Sequence, residues 1–295
     1  MASRDVLHSA LTSPSNPMIK QIRALRKRQA RDESGLFLVE GIRPVGEAIR
    51  ALSAATTERG EEQSANEGGA SLAYLCYAPD RLTSDYARRL VREQEARGVR
   101  VYAVAGAVFE SLADKENPQG IIAVVRRPSL SLDKLTPGSF PWGVALVSPQ
   151  DPGNIGAILR TVDAVGASGL LLLDCAECST FRSADPYHPS AVRASMGALF
   201  WRPVVSATFA EFAAWAQQHG YHSYGTSAHA STPYQQAPRY ERPAILLLGS
   251  ERQGLTPEQA ALCEELIGLP MHGHATSLNL AVAAGVMLYA MLERM

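Results

Sequence analysis

The sequence has no long apolar segment and little cysteine. No stretch approaches eighteen uninterrupted apolar residues, and the first twenty residues contain no apolar core of the kind that a signal peptide has. The four cysteines are too few and too scattered for a disulfide framework in a chain of 295 residues. We therefore expect a protein of the cytoplasm with reduced thiols and no membrane partner.

Residues that could bind a metal are also scarce. Cys175 and Cys178 have the spacing of a zinc or redox pair, but the chain has no second pair that would complete four ligands. His272 and His274 flank Gly273, and no carboxylate or cysteine partner is evident near them. We expect no metal site.

The net charge of −1 hides an uneven distribution of charge along the chain. Up to residue 137 there are 20 lysines and arginines against 17 aspartates and glutamates, and beyond it there are 8 against 12. A stripe of six cations on one predicted helix favours a phosphate-binding face, although the charges alone fit a solvated helix surface equally well. These cations are Lys20, Arg23, Arg26, Lys27, Arg28 and Arg31.

The first part of the chain alternates strands with helices, which predicts a small α/β domain. One helix is predicted over residues 14–31, because Ser15 or Asn16 can cap it and Pro17 suits its first turn. Residues 56–71 are polar, which predicts a mobile surface loop. The predicted strands are Leu36–Val39, Leu72–Tyr77, Val99–Val104 and Ile121–Val125, with helices at Ser84–Ala96 and Gly106–Ala113.

A linker with the sequence SLSLDKLTPGSFP interrupts this alternation and predicts two domains, at residues 1–130 and 140–295. The second domain has uniformly apolar runs, which are typical of strands covered on both faces of a mostly parallel sheet. A final helix is predicted from about Ser277 to Met295, with the serine suited to capping. The apolar runs are Val144–Val147, Gly169–Leu173, Val204–Ser206, Ala244–Leu248 and Glu265–Leu269.

Polar segments follow three of these runs, at the sheet edge where open parallel sheets bind their ligands. In the first, Asn154 opens a helix and Arg160 lies almost two turns along it, although Arg160 could instead form a helical ion pair with Asp163. In the second, GSERQGL, Glu251 stands at the tip of a strand. This segment is not a phosphate-binding P-loop, because no Gly-Lys-Ser/Thr follows, and it could be a simple polar turn.

The third segment, PMHGHATSLN, leads into the final helix. Backbone N–H groups at the start of a helix can bind a carboxylate or the edge of an adenine ring. Asn279 is expected on a buried part of this helix, where it must find a hydrogen-bond partner. A core asparagine with satisfied hydrogen bonds is the alternative.

Together the three segments resemble the motifs of the SpoU family of RNA 2′-O-ribose methyltransferases, members of the knotted SPOUT superfamily. The pattern N-x-G-x-x-x-R-T spans Asn154–Thr161, L-G-x-E-x-x-G spans Leu248–Gly254, and P-M-x-G with S-L-N spans Pro270–Asn279. The segment DPYHPSAVRASMGALFWRPV, from Asp185, is also similar to the family. The segments NPMIKQIRALRKRQAR, FLVEGIRPVGEAI and DKENPQGIIAVV resemble its substrate-binding domain, so the likeness covers most of the chain.

The resemblance implies an α/β fold with a C-terminal trefoil-knotted methyltransferase domain and a smaller N-terminal α/β domain that is ribosomal-protein-like and binds RNA. It implies methyl transfer from S-adenosylmethionine to a ribose 2′-hydroxyl of structured RNA, with ribosomal RNA preferred to transfer RNA. A homodimer is implied as well, and DNA is not expected as a partner.

The resemblance also assigns roles to individual residues. Arg160 is expected to stabilise the developing alkoxide, because a guanidinium is rarely deprotonated. The residues expected to act in catalysis are Asn154, Arg160, Glu251, Ser277 and Asn279. Those expected to bind the cofactor are Leu248, Gly249, Leu269, Met271, Ser277 and Leu278.

Two other functions stay open at this point. A knotted methyltransferase that modifies a base nitrogen is disfavoured by Asn154 and Arg160 at the motif spacing and by the Ser-Leu-Asn run. A non-catalytic RNA-binding or ribosome-assembly factor fits the basic helix and the N-terminal domain. Such a factor need not keep Arg160, Glu251 and Asn279 together.

Overall fold

The computed structural model describes residues 10–59, 69–113, 117–175 and 182–295. They divide into two compact units: residues 1–129 together with 187–200 form unit 1, and residues 130–186 together with 201–295 form unit 2. The residues from Tyr187 to Phe200 thus fold with the N-terminal part of the chain. None of the described helices is long and apolar enough to cross a membrane.

Unit 1 is built on a four-stranded sheet in the order β1-β4-β2-β3, in which only β2 and β3 are parallel. All of Ile121–Val125 is buried, because alternate side chains of β4 enter apolar clusters on the two faces of the sheet. The strands are β1 Leu36–Glu40, β2 Ser71–Tyr77, β3 Val101–Ala103 and β4 Ile121–Arg126. The helices are α1 Pro17–Ala24, α2 Arg28–Ser34, α3 Ile42–Arg59, α4 Asp85–Ala96, α5 Gly106–Glu110 and α7 Pro189–Ala194. The four strands predicted for this part are confirmed to within two residues at each end.

One expectation for unit 1 is wrong, and a second is wrong in its bounds. The single helix over residues 14–31 is two helices, because the backbone at Lys27 is extended (φ −88°, ψ 135°). The break leaves the carbonyls of Leu25 and Arg26 without helical partners, and Arg31 Nη1 donates to both at 2.8 Å. The loop expected over residues 56–71 is helical as far as Arg59, where α3 ends, and β2 begins at its other end. Residues 60–68 of that loop lie outside the described part of the chain.

Unit 2 is built on a seven-stranded sheet in the order β7-β6-β5-β10-β8-β11-β9, in which every pair of neighbours is parallel. This confirms the mostly parallel sheet. Helix α8 packs on one face of it, and α10 packs against α6 and β10. The strands are β5 Trp142–Val147, β6 Leu170–Asp174, β7 Val204–Thr208, β8 His222–Thr226, β9 Thr232–Pro233, β10 Ala244–Leu248 and β11 Glu265–Gly268. The helices are α6 Pro152–Ala164, α8 Phe209–Gln218, α9 Pro257–Ala261 and α10 Leu280–Arg294.

The start of the last helix differs from the prediction. Helix α10 begins at Leu280, and its N-cap is Asn279 rather than Ser277. The Oδ1 atom of Asn279 accepts hydrogen bonds from the backbone N–H groups of Ala281 (2.9 Å) and Val282 (3.4 Å). Asparagine is among the best residues for this position, because its side chain satisfies N–H groups that have no partner within the helix.

Candidate active site

The three polar segments meet at the carboxyl edge of the parallel sheet in unit 2. Strands β5 and β10 are neighbours in register, with Leu146 opposite Leu248, so the segments after them leave the sheet side by side. Asp151 caps α6 by accepting a hydrogen bond from Gly153 N at 2.7 Å. The predicted meeting of the three segments is thus seen in the fold.

The carboxylate of Glu251 ties the segment after β10 to the segment after β5. It accepts hydrogen bonds from the backbone N–H of Gln150 (3.1 and 3.2 Å), the N–H of Asp151 (3.4 Å) and Asn154 Nδ2 (3.3 Å). This carboxylate also stands at the N-terminus of α6, where the helix dipole favours a negative charge. Glu251 therefore orients Asn154 and the turn before it.

The side chain of Asn154 extends this chain of hydrogen bonds to the third segment. Asn154 is buried, with 7% of its surface exposed, and its Oδ1 accepts a hydrogen bond from Asn279 Nδ2 at 3.0 Å. Asn279 was expected on a buried part of the helix. It is instead an exposed cap, and it uses its oxygen for α10 and its nitrogen for Asn154. Two asparagines and one glutamate thus join all three segments.

The segment after β10 folds into a tight turn. Ser250 and Gly254 exchange backbone hydrogen bonds of 3.2 and 2.9 Å, and Gly254 has a φ of +68°, which favours glycine. A Cβ at Gly249 would overlap the carbonyl group of Gly254 and the backbone nitrogen of Leu255. Only glycine at 249 allows the two ends of the turn to lie this close together.

A cavity of about 650 Å³ opens beside these segments. This volume lies in the range of small-molecule sites, and the cavity combines backbone groups, apolar side chains, the carboxylate of Glu251 and the guanidinium of Arg252. The carboxylate of Glu251 favours a cationic group there. The predicted site residues that line the cavity are Asn154, Leu248, Gly249, Glu251, Leu269, Met271, Ser277, Leu278 and Asn279.

One wall of the cavity was not predicted. Thr226, Ser227 and His229 line it from the end of β8, a strand that the sequence analysis missed. The sequence of β8, HSYGT, has no apolar run, although Ser223, Tyr224 and Gly225 are buried. The N–H of Ser227 donates to Ile267 O at 3.1 Å, which holds this wall against β11.

Arg160 stands apart from the cavity lining. It lies on α6, exposed, and makes no hydrogen bond or ion pair with any residue that the structure describes. The alternative, a helical ion pair with Asp163, is not seen, because Asp163 accepts from Arg202 Nε at 2.8 Å. The donors of the Arg160 guanidinium are thus unused by the described residues.

The six cations predicted as one stripe have different environments in unit 1. Arg31 is buried at 2% exposure and donates hydrogen bonds to the carbonyls at the break between α1 and α2. Arg23 donates to Ser111 Oγ at 2.7 Å, Arg26 donates to the carbonyl of Ala113, and Arg28 lies 3.7 Å from Asp32. Lys20 and Lys27 are exposed. The stripe is therefore divided between structural and surface roles.

The cysteines and histidines do not assemble into a metal site among the described residues. Burial raises the pKa of Cys76 and of Cys263 to about 12, so both thiols are protonated near neutral pH. Cys76 and Cys263 are free thiols, as expected, whereas Cys175 is disulfide-bonded, which corrects the expectation for that residue. Cys178 lies outside the described residues.

Comparisons with protein families cover both parts of the chain. Residues 141–289 match the model of the SpoU rRNA Methylase family. Residues 75–131 match a model described as RNA 2′-O ribose methyltransferase substrate binding, and residues 16–59 match the MRM3-like substrate binding domain.

Individual relatives match over almost their whole length. The chain is 32% identical over 272 residues to the 23S rRNA (uridine(2479)-2′-O)-methyltransferase of Streptomyces viridochromogenes, covering 90% of this chain and 85% of that one. It is 29% identical to the 23S rRNA (guanosine(2553)-2′-O)-methyltransferase of Bacillus subtilis, covering 95% and 97%. The crystal structure of an AdoMet-bound rRNA methyltransferase from Sinorhizobium meliloti is similar with a TM-score of 0.80 at 31% identity, covering 96% and 97%.

Proposed function

The chain belongs to the SpoU rRNA methylase family, and from this premise we propose that it transfers a methyl group from S-adenosylmethionine to a ribose 2′-hydroxyl of ribosomal RNA. The observation that carries the proposal is the hydrogen-bonded chain from Glu251 through Asn154 to Asn279 beside a cofactor-sized cavity. A non-catalytic RNA-binding factor has no need for this arrangement.

The cavity residues suit S-adenosylmethionine, which supplies an electrophilic methyl group on a cationic sulfur. We propose that Leu248, Gly249, Leu269, Met271, Ser277 and Leu278 hold it. The carboxylate of Glu251 lies on the same wall and contributes negative potential, while its hydrogen bonds fix Asn154. We propose that Ser277 and Asn279, which are exposed, hold the ribose, and that the buried Asn154 positions Asn279.

Arg160 is proposed to stabilise negative charge on the 2′-oxygen as its proton is lost. A guanidinium stays protonated at any physiological pH, so it acts as a fixed cation and hydrogen-bond donor rather than as the base. Charge stabilisation of this kind is commonly the largest single contribution to the rate. The proton passes to solvent or to another acceptor, and the C–S bond of the cofactor breaks as the new C–O bond forms.

The direct test is a methyl-transfer assay with tritium-labelled S-adenosylmethionine and an unmodified bacterial 23S rRNA transcript. We expect label in the RNA that nuclease digestion and mass analysis place on a ribose. Label on a base nitrogen would favour the rival knotted enzyme. No label, together with RNA binding and no heat of S-adenosylmethionine binding, would favour the non-catalytic factor. Label in transfer RNA alone would change the substrate class.

The proposal includes the domain organisation of the enzyme and its location in the cell. The family models on residues 16–59, 75–131 and 141–289 support a substrate-binding domain at 1–130 and a methyltransferase domain at 140–295, the latter with the knotted path. Within the second domain, residues 187–200 pack in unit 1. An enzyme of ribosomal RNA works where ribosomes are assembled, which supports a cytoplasmic location.

We also propose a homodimer, formed through the exposed apolar stripe of α10. Val282, Tyr289 and Leu292 are 51%, 50% and 43% exposed, and their spacing places them along one side of the helix. Helix α10 packs on α6, which carries Arg160, so the stripe and this guanidinium belong to one packed pair of helices. A second copy covering this stripe is proposed to bring Arg160 of one protomer near the cavity of its partner.

The dimer predicts that Tyr289→Glu, combined with Leu292→Glu, yields a monomer in analytical ultracentrifugation. The reason is that two carboxylates would lose their water on association without a partner charge. Methyl transfer should fall with the loss of the dimer while the monomer stays folded by circular dichroism. Leu130→Glu, at an exposed apolar residue outside α10, is the matched control and should remain a dimer. A wild-type monomer, or an intact dimer in the double variant, would contradict the interface.

A further inference from the structure

An exposed tyrosine in unit 1 lies across a glycine of the neighbouring helix. Tyr86, in the first turn of α4, is 48% exposed. A Cβ built at Gly46 of α3 would lie 2.5 Å from Tyr86 Oη and 3.4 Å from its Cε1 and Cζ atoms. Glycine within a helix is unfavourable, because it costs more backbone entropy than alanine. The absence of a side chain at position 46 thus lets the hydroxyl end of the Tyr86 ring lie close to the surface of α3.

Arginines lie on the same faces of the two helices as Gly46 and Tyr86. Arg43 and Arg50 are three residues before and four residues after Gly46, so they share its face of α3, and Arg89 is three residues after Tyr86 on α4. All three are exposed. Arg50 pairs with Glu47, whereas Arg43 and Arg89 make no hydrogen bond or ion pair with any residue in the described ranges.

Not every arginine near this ring is open to a ligand. Arg88 lies two residues after Tyr86, on another side of α4, and donates to Leu82 O at 2.8 Å. Arg50 is paired with Glu47. Among the described residues, the cations without a hydrogen-bond or ion-pair partner on the faces of Gly46 and Tyr86 are therefore Arg43 and Arg89. Arg43 is in the first turn of α3, where the helix dipole adds to the positive potential.

We propose that Tyr86, seated on Gly46 and flanked by Arg43 and Arg89, is a platform that binds an unpaired nucleotide of the RNA substrate. The base stacks on the ring of Tyr86, and the adjacent phosphates pair with the two arginines. Sequence-tolerant binding of unpaired nucleotides uses this combination of an aromatic face and nearby cations. The inference rests on the proposed function, because it takes RNA as the substrate.

The platform also differs from the basic stripe of α1 and α2. In that stripe Arg23, Arg26 and Arg31 donate hydrogen bonds within the unit, which leaves fewer charges for a ligand. Arg43 and Arg89 make no such hydrogen bond with a described residue, so their charges stay available to a ligand. A solvated helix surface would not need an aromatic ring held over a helical glycine.

The test measures the affinity of the full-length chain for an unmodified 23S rRNA transcript by filter binding. We expect Tyr86→Ala to weaken binding about 10-fold, since stacking is sequence-tolerant and lost with the ring, and Tyr86→Phe to stay within about 2-fold. Arg43→Ala and Arg89→Ala should each reduce the slope of log K against log salt by about one.

The glycine provides a variant that keeps the ring but moves it. Gly46→Ala should weaken RNA binding, because the new methyl group displaces the hydroxyl end of Tyr86. Tyr86→Phe in the same chain removes the atom that comes closest, so the double variant should regain most of the affinity. If Gly46→Ala left binding unchanged, or if Tyr86→Phe were as weak as Tyr86→Ala, stacking on this ring would be ruled out.

The control is Trp201→Ala, which removes a ring of similar exposure (43%) from unit 2. It should leave RNA affinity unchanged, and an equal loss there would overturn the assignment to Tyr86. Calorimetry with S-adenosylmethionine separates the two proposals. Loss of RNA affinity in Tyr86→Ala with normal cofactor binding supports the platform, whereas a wild-type chain that binds RNA without transferring methyl groups removes only the proposed reaction.

Discussion

Arg160→Ala is expected to lower methyl transfer by at least about 10²- to 10³-fold, the usual cost of removing a group that stabilises developing negative charge. S-adenosylmethionine should bind with nearly unchanged affinity, because Arg160 is not among the described residues that line the cavity. The variant should also unfold at the wild-type temperature, since Arg160 is exposed and has no bonded partner among the described residues. Single-turnover kinetics and calorimetry measure the two effects separately.

Two matched variants sharpen this prediction. Arg160→Lys keeps the positive charge but loses the planar fork of donors, so it should recover only part of the rate. Arg202→Ala breaks the 2.8 Å contact with Asp163 on the same helix and should leave methyl transfer nearly intact. Full turnover by Arg160→Ala would remove the arginine from the proposed mechanism.

Most strands of the two sheets could be predicted from the sequence, because their apolar runs are uniform, whereas β8 and β9 could not. Ile121–Val125 and Ala244–Leu248 are buried along their whole length, and a run of five apolar residues between polar turns has few other interpretations. The meeting of the Asn154, Glu251 and Asn279 segments followed from the parallel order of the sheet. In such a sheet, the segments that follow parallel strands leave from the same edge, and β5, β10, β8 and β11 are all parallel.

Other features depend on contacts that no local pattern reveals. Strand β8 is polar in sequence, and it is buried because Gly225 leaves room for Cys263 and Leu266. The break between α1 and α2 is stabilised by Arg31, whose guanidinium reaches back to two carbonyls five and six residues earlier. The cluster of cations in the sequence predicts that Arg31 is a surface charge, but its side chain is buried.

Asn279 lies beside the predicted site for a structural reason that differs from the predicted one. Its polarity on an apolar helix suggested a functional role, yet the residue precedes the helix and caps it. The cap fixes the side chain so that its nitrogen points to Asn154, which Glu251 holds from the other side. The same hydrogen bonds thus order the fold and the site, and either role alone would explain the residue.

Gly249→Ala is expected to weaken S-adenosylmethionine binding at least about 100-fold, because the added Cβ would overlap backbone atoms of Gly254 and Leu255. Backbone in a packed turn cannot move aside as the end of a side chain can, so the turn must open. Opening it breaks the paired hydrogen bonds of Ser250 and Gly254 and shifts Glu251, which holds Asn154. Calorimetry measures the affinity, and thermal unfolding should show a lower melting temperature.

Variants of two other glycines in the same motifs distinguish an effect on packing from the loss of a direct contact with the cofactor. Gly273 has no atom within 4 Å of the position that a Cβ would take and no positive φ, so Gly273→Ala should bind the cofactor normally. Gly254 also has open space but a φ of +68°, so Gly254→Ala should cost about 1 kcal/mol of backbone strain and an intermediate loss of affinity. Equal losses in all three variants would mean that the cofactor itself requires the glycines. A graded loss of cofactor affinity, by far the largest for Gly249→Ala, is expected only if the closed turn shapes the cavity.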